Sequence, residues 1–464
     1  MEKPGKVIIL GAGFVGLRIG DILSRKGIHV ELIEAAPEAG GMVGTFSKEF
    51  DGDTYLFDYG PHLFFRDYKD DYQELVGNEL QHVVGAFSMM VNGKQLPYPL
   101  RVMNILKNLP LSATFKVATE LLYNKLFNKR HQAETIEQWY VSRFGKYLFQ
   151  TFYAPYIAKN MGLSSSQTSV QWAMERIHVT GNSLQETILK RIKTALFKRN
   201  QKENLPSSDM ITAFYPKYGA GRIGESMAKR IVQNGGTIHL SKACKNISIQ
   251  REKVEFVSFG TEGEKTIGDY VISTIPLPSL FQIIRPEVSS ELSRAASALK
   301  FRHLILMYLI IDKPRVLDRI EVFFPDSSVI FKRIYEPKTL SEEVAPPHRT
   351  SLCLEICCNE DEQFTDRELF ERAIKNLQDY NIIRREDVLQ YFTIRLPFAY
   401  PIYHLGFAEQ RKLLLDYVQS IKNLFTVGRQ GLFQYHAMTN ECMAMANTMS
   451  ETIIQHKINE LATN

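Results

Sequence analysis

The chain begins with a short apolar run at positions 6–10, "KVIIL", and then changes rhythm. A brief continuous run rich in β-branched residues, bounded by glycines, predicts a strand buried in a parallel sheet. In the next stretch, "FVGLRIGDILSRKG", Val15, Ile19, Ile22 and Leu23 recur on one helical face, and Gly27 ends the helix. "HVELIEA" returns to strand spacing, which completes one βαβ unit. The same rhythm reappears at 215–240, "YPKYGAGRIGESMAKRIVQNGGTIHL", and continues into the strand patterns "KVEFVSF" and "YVISTIPLP". Residues 66–205 differ: long aromatic-rich patterns such as "ATFKVATELLYNKLF" predict a mainly helical subdomain. Residues 281–419 carry strand-like runs such as "LILMYLIID" and predict a second, antiparallel sheet. "NLFTVGRQG" reads as one more strand, and 440–461 as a closing helix. The pattern thus predicts a doubly wound α/β domain built from three separated segments, 1–65, 206–280 and 420–464.

Composition narrows the class only a little. The 464 residues are 44% hydrophobic and 23% charged, as in a soluble protein of two or three domains. A net charge of +5 over this length, without zinc-finger or aromatic-basic motifs, argues against a nucleic-acid partner. The opening "MEKPGKVIIL" lacks the positive and apolar regions of a signal peptide. The five cysteines form no CxxC pair and read as reduced thiols, so a cytoplasmic location is expected. No metal-ligand spacing occurs, and no metal is expected. The basic stretch 190–209 is a candidate membrane-surface contact, although a solvated face is the favoured reading.

The chemistry starts at Gly11, Gly13 and Gly16, a G-x-G-x-x-G between strand and helix. The first glycine permits the turn, the second admits a pyrophosphate to the backbone, and the third lets helix and strand pack closely. Helix N-terminal N–H groups then face the phosphates. Glu34 ends the second strand 18 residues past Gly16 and can accept bonds from an adenosine ribose. NAD and FAD share this fingerprint.

What separates them is "EAAPEAGGMVGT" after Glu34, with Gly40 and Gly41, together with "YPKYGAGRIGE", "VISTIP" and "VGRQGLFQYHAM". As an ordered set these segments resemble the FAD-binding group of amine oxidases, protoporphyrinogen oxidases, phytoene desaturases and UDP-galactopyranose mutases. "YGPHLFF" at 59–65 resembles the flavin-side segment of the mutases. "NGKQLPYPL", "FGKYLFQTFYAPYIAKNMGL", "QWAMERI" and "FAYPIYHLGF" resemble protoporphyrinogen-oxidase-like relatives. The resemblance implies a Rossmann-like FAD domain with an inserted mixed α+β substrate domain and a helical subdomain. It implies FAD contacts at Gly11, Gly13, Phe14, Val15, Gly16, Glu34, Ala35, Gly40, Gly41, Met42, Gly60, Pro61 and His62. Further contacts are implied at Cys244, Thr274, Gly428, Arg429, Met438, Thr439 and Asn440. His62, Arg176 and Tyr403 are the candidate catalytic residues, and Tyr156, Tyr400 and Tyr435 are candidate cavity residues.

Departures from the mutases are specific. Thr180 and Tyr403 stand where those enzymes place arginines on the substrate diphosphate, Met161 replaces a tryptophan, and Thr439 an aspartate. Arg176, Arg302 or Arg395 are the arginines that could take over. The leading expectation is an FAD-dependent oxidoreductase acting at flavin N5 on a small or medium substrate, with NAD(P)H or another electron donor or acceptor. The alternative is a mutase-like isomerase using reduced FAD on a nucleotide sugar. A third reading is a protein that retains FAD without catalysis.

Overall fold

Five short strands lie parallel and in register in the order Leu424–Thr426, Tyr270–Ser273, β1 (Lys6–Leu10), β2 (His29–Ile33) and Thr237–His239. The structure, a computed structural model, describes residues 5–91, 93–98, 111–127, 133–179 and 210–463. Within β1, Val7, Ile8, Ile9 and Leu10 are wholly buried, which is why the run shows no polar alternation. Helix α1 (Phe14–Arg25) packs its Leu17, Ile19 and Leu23 into one core with Val7, Ile9, Val30 and Leu32. The closing helix Thr439–Thr463 adds Met443, Ala446 and Ile453 to that core. The sheet therefore draws strands from all three predicted segments.

A second sheet runs in the order Val388–Pro401, Phe301–Ile311, Thr350–Cys358, Arg333–Tyr335, Glu321–Phe323, Leu80–Val91 and Lys94–Tyr98. Met210–Pro216 also pairs with Leu80–Val91. Two expectations are corrected here. The sheet is mixed, because Glu321–Phe323 runs parallel to Leu80–Val91. And the stretch read as mainly helical contributes two of its strands, Leu80–Val91 and Lys94–Tyr98. The short apolar run "VVGAFSMMV" carried that signal but was swamped by the long helical patterns around it. The helices Leu111–Phe127, Ile136–Phe144, Ala154–Met161 and Gln171–Val179 do form as expected in the remainder.

A hairpin joins the two halves. Strands β3 (Thr45–Phe50) and β4 (Asp53–Asp58) turn through Asp51 and Gly52, both at positive φ, the geometry Asp-Gly supports best. β4 delivers the chain into Tyr59–Phe65, between the parallel sheet and the second sheet. Asp58 fixes that delivery. Its buried carboxylate accepts bonds from the Thr45 hydroxyl, from Tyr215 Oη at 2.6 Å and from the Ala220 N–H at 3.1 Å. Its carbonyl accepts from the hydroxyls of Tyr308 and Tyr335.

Candidate active site

The glycine loop is shaped from within. A Cβ on Gly16 would stand 2.1 Å from the Gly11 carbonyl oxygen, so only glycine lets α1 approach the loop this closely. A Cβ on Gly13 would meet nothing within 4 Å, so the space over the second glycine is open. The α1 N-terminus has no side-chain cap, which leaves its N–H groups for a ligand. Gly40 donates its N–H to the Ala12 carbonyl at 2.8 Å, and Gly41 approaches Gly13 so closely that its Cβ would lie 3.0 Å from the Gly13 Cα. Glu34 Oε2 accepts from the Ala12 N–H at 2.7 Å and Oε1 from the Ala36 N–H at 2.8 Å, which holds the carboxylate at the loop's rim. Ala35 lies exposed on that rim, and Met42 is half-buried behind it. Thr274 bonds the Leu10 carbonyl at 2.8 Å, directly beside Gly11. Cys244 begins the strand Cys244–Gln250, just after Lys242, whose N–H bonds the Glu34 carbonyl.

The same loop meets the chain's distant segments. Phe14 lies 6.3 Å from Phe64, ring centre to ring centre. Gly428 faces Val15 so tightly that a Cβ there would lie 3.3 Å from it. Thr439 donates its hydroxyl to the Leu63 carbonyl at 2.6 Å and thereby pins the start of the closing helix against the His62 loop. Met438, one residue earlier, is 46% exposed. Gly60 sits at φ +111° ahead of Pro61 and His62.

Among the described residues, three buried polar atoms at this junction have no hydrogen-bond partner: His62 Nδ1, Arg429 Nε and Asn440 Oδ1. Buried polar atoms are normally satisfied, so this cluster fits a polar group that the protein binds. Burial, with the Arg333 and Arg429 cations nearby, pushes the His62 ring down to about 4 and keeps it neutral at physiological pH. Arg429 donates to the Ala399 carbonyl at 2.9 Å, and its guanidinium lies 4.9 Å over the Tyr400 ring. An open glycine cradle, a carboxylate at its rim and these orphaned atoms at its far end suit an elongated dinucleotide such as FAD.

Beside His62 lies a cluster of buried charges. Glu355 Oε1 would be 3.5 Å from a Cβ on Gly60. Lys332 Nζ is 3.0 Å from Glu355 Oε2, while Arg333 bonds both Glu355, at 2.5 Å, and Glu321, at 2.8 Å. Burial alone would raise Glu355, but the two cations outweigh it and hold the carboxyl down at about 2. None of these four was among the expected site residues. The available signal was a lone carboxylate inside the apolar strand "SLCLEICC"; its partners come from other strands, and only the sheet register brings them together.

The remaining candidates fall as follows. Arg176 belongs to the helix Gln171–Val179, but its side chain lies outside the described residues, as does all of Thr180. Tyr403, a catalytic candidate, serves in the structure as a bracket between chain segments. It is wholly buried, its hydroxyl meets Glu175 at 2.7 Å, the Phe433 carbonyl at 3.2 Å and the Tyr435 N–H at 2.9 Å, and its ring stacks 4.0 Å from Phe407. Its one hydrogen is thus taken up by Glu175 and the Phe433 carbonyl, and it accepts from the Tyr435 N–H. Arg302 is buried on Asn359 and the Lys159 carbonyl, and Arg395 pairs with Asp366 on the surface, so both are committed elsewhere. Among the described residues, no group of three or more His, Cys, Asp or Glu could hold a metal ion, and no helix is long and apolar enough to cross a membrane.

Residues 16–428 match the family described as flavin containing amine oxidoreductase. Among curated proteins, a probable UDP-galactopyranose mutase from Klebsiella pneumoniae is 26% identical over 167 residues, 35% of this chain and 42% of that protein. The match thus spans less than half the length of that relative. Among solved structures, a reduced UDP-galactopyranose mutase superposes with a TM-score of 0.81 at 19% identity, covering 97% of this chain and 94% of the other. A putrescine oxidase bound to putrescine superposes with a TM-score of 0.66 at 14% identity, covering 97% and 99%. At these identities the structural likenesses establish the fold alone.

Proposed function

We propose a function from this premise: the chain belongs to the flavin containing amine oxidoreductase family. Its cofactor is FAD. We infer that the glycine loop and the α1 N-terminus hold the pyrophosphate, that Glu34 holds the adenosine ribose, and that the flavin end lies against His62, Arg429 and Asn440. When bound, FAD supplies the capacity to take up or release electrons. The protein's own contribution is positional and electrostatic. Neutral His62 offers a ring nitrogen without adding charge, and Arg429 supplies a cation that favours a more anionic flavin. The activity supported best is that of an FAD-dependent oxidoreductase acting on a small or medium substrate. The carrying observation is the convergence of the orphaned atoms of His62, Arg429 and Asn440 at the far end of the glycine cradle.

A second reading, isomerisation of a nucleotide sugar, is favoured by one observation: the sequence match to a probable UDP-galactopyranose mutase, 26% identical over 167 residues. The two readings need different flavin states. The purified yellow protein is therefore assayed twice. With oxidised FAD it is given carboxylate-bearing and amine electron donors, and acceptor consumption is followed; after dithionite reduction it is given UDP-galactose, and ring interconversion is followed. Donor-dependent acceptor consumption is expected. Interconversion by the reduced protein alone would replace the first reading with the second, and silence in both assays would leave a non-catalytic FAD protein.

A further inference from the structure

Lys159 belongs to the helix Ala154–Met161 in the helical subdomain, and its ammonium reaches across to the second sheet. There it donates to three backbone carbonyls of one turn: Phe324 at 2.8 Å, Asp326 at 2.5 Å and Phe331 at 3.2 Å. All three of its N–H donors are thereby used. The turn joins the paired strands Glu321–Phe323 and Arg333–Tyr335. The helix is held at the same residue a second time, because Arg302 donates to the Lys159 carbonyl at 3.3 Å.

The two sides of this link are packed into different cores. Ile157 and Met161 of the helix lie with Trp172 and Tyr403, whereas Phe324, Val329 and Phe331 of the turn lie with Leu354 and Leu369. The link made at Lys159 is therefore polar. Hydrogen bonds exchange with water for a small net change, which the parting of a packed core does not. The link also stands at the outer end of a line of groups that runs to His62. Lys332 follows Phe331 directly and pairs with Glu355 at 3.0 Å, and Glu355 stands beside Gly60. Cys357, two residues past Glu355 on the same strand and hence on the same face, lies close enough to both Lys159 and Lys332 to influence their charge.

We propose that Lys159 is a releasable strap: it ties the helix Ala154–Met161 to the 324–331 turn, and its release opens a way between the helical subdomain and the second sheet towards His62. The tie concerns the chain as it stands; that the way leads to a flavin rests on the flavoprotein reading above. Water can replace the three carbonyls when the strap lets go, so opening leaves no donor stranded. Three acceptors converging on one nitrogen return it to a single closed geometry.

Cys357, which is half-buried, serves as the reporter. The FAD-loaded protein is pulsed with iodoacetamide, and the labelled cysteines are mapped by mass spectrometry. In the wild type Cys357 should react far more slowly than in urea-unfolded protein. Lys159→Met, which keeps the length of the side chain and removes its donors, should speed Cys357 labelling roughly tenfold or more, the size expected for losing charge-assisted bonds. Removing a nearby cation would by itself slow a thiolate reaction, so a rise reports access. Cys244 and Cys442, in the FAD domain, should keep their wild-type rates. Should Lys159→Met fail to fold, Lys159→Gln, with two N–H donors in place of three, is read in its place, and a rise is again expected. The proposal is overturned if Cys357 reacts at the wild-type rate in the variant, if wild-type Cys357 already reacts as fast as in the unfolded chain, or if all the cysteines accelerate together, which marks general loosening. FAD content is read from the absorbance spectrum of the same samples. A wild-type protein that holds no FAD defeats the flavoprotein reading and leaves the Cys357 comparison standing.

Discussion

The parallel sheet and the second sheet solve the burial problem in different ways. The first buries Val7, Ile9, Leu17, Val30 and Leu32 wholly, pairs its few buried carboxylates (Asp21 with Arg18 and Arg230, Glu31 with Lys6), and leaves the loop to backbone N–H groups, glycine spacing and Glu34 at the rim. The second buries Glu321, Lys332, Glu336, Lys338 and Glu355, all at 5% exposure or less, among its apolar residues. A backbone cradle is indifferent to side chains as long as glycines stay where a Cβ would collide. A buried charge cluster depends on every member, because removing one partner strands the others in a medium that solvates them poorly.

Three outcomes would break or sharpen that contrast. The largest effect is expected at Glu355. Glu355→Ala leaves Lys332 without its partner and Arg333 with only Glu321, and should destabilise the protein by about 3–5 kcal/mol in urea unfolding. A loss below about 1 kcal/mol would mean the charges are solvated and the contrast between the sheets is false. Next comes Tyr403→Phe, which strips a bond from Glu175 and one from the Tyr435 N–H and should cost about 1–3 kcal/mol. Flavin reduction, measured by stopped flow on the folded fraction, should be nearly unchanged; slowed reduction at full stability would return Tyr403 to the catalytic group.

The smallest effect is a pH slope. The His62 ring is held down to about 4, against an ordinary value of 6.5, so between those values the unfolded chain binds the extra proton. The associated stability is complete above pH 6.5 and is lost as pH falls towards 4. His62→Asn should flatten the fall in unfolding free energy over that window relative to wild type. An identical slope in both proteins would show that the ring titrates normally and is not enclosed as described.

How much of this was legible in the sequence follows from how local each feature is. The βαβ unit, the Gly11–Gly16 turn and Glu34 lie within one contiguous stretch, where spacing alone encodes geometry. His62 was legible because Gly60 and Pro61 mark an unusual backbone path just before it. The Lys332–Glu355 pair was not, because it depends on the pairing of Arg333–Tyr335 with Thr350–Cys358, which no local period reveals. The surroundings of Tyr403 were not legible for a related reason: a tyrosine in "FAYPIYHLGF" has the same local pattern whether its hydroxyl faces a cavity or a buried glutamate.

Asp58 connects chain segments that are made far apart in time. Its carboxylate takes bonds from Thr45, Tyr215 and Ala220, and its carbonyl from Tyr308 and Tyr335. The parallel sheet is equally scattered, since β1 waits for Tyr270–Ser273 and that strand for Leu424–Thr426. A nascent chain leaving the ribosome at roughly 5–20 residues per second therefore exposes β1, β2 and α1 for tens of seconds before their neighbours exist. Such long-range closure implies slow folding, with apolar strands open to aggregation meanwhile. Truncation before Leu424–Thr426 should yield an insoluble fragment and not a smaller flavoprotein, and expression should respond to chaperone supply more than to the addition of cofactor.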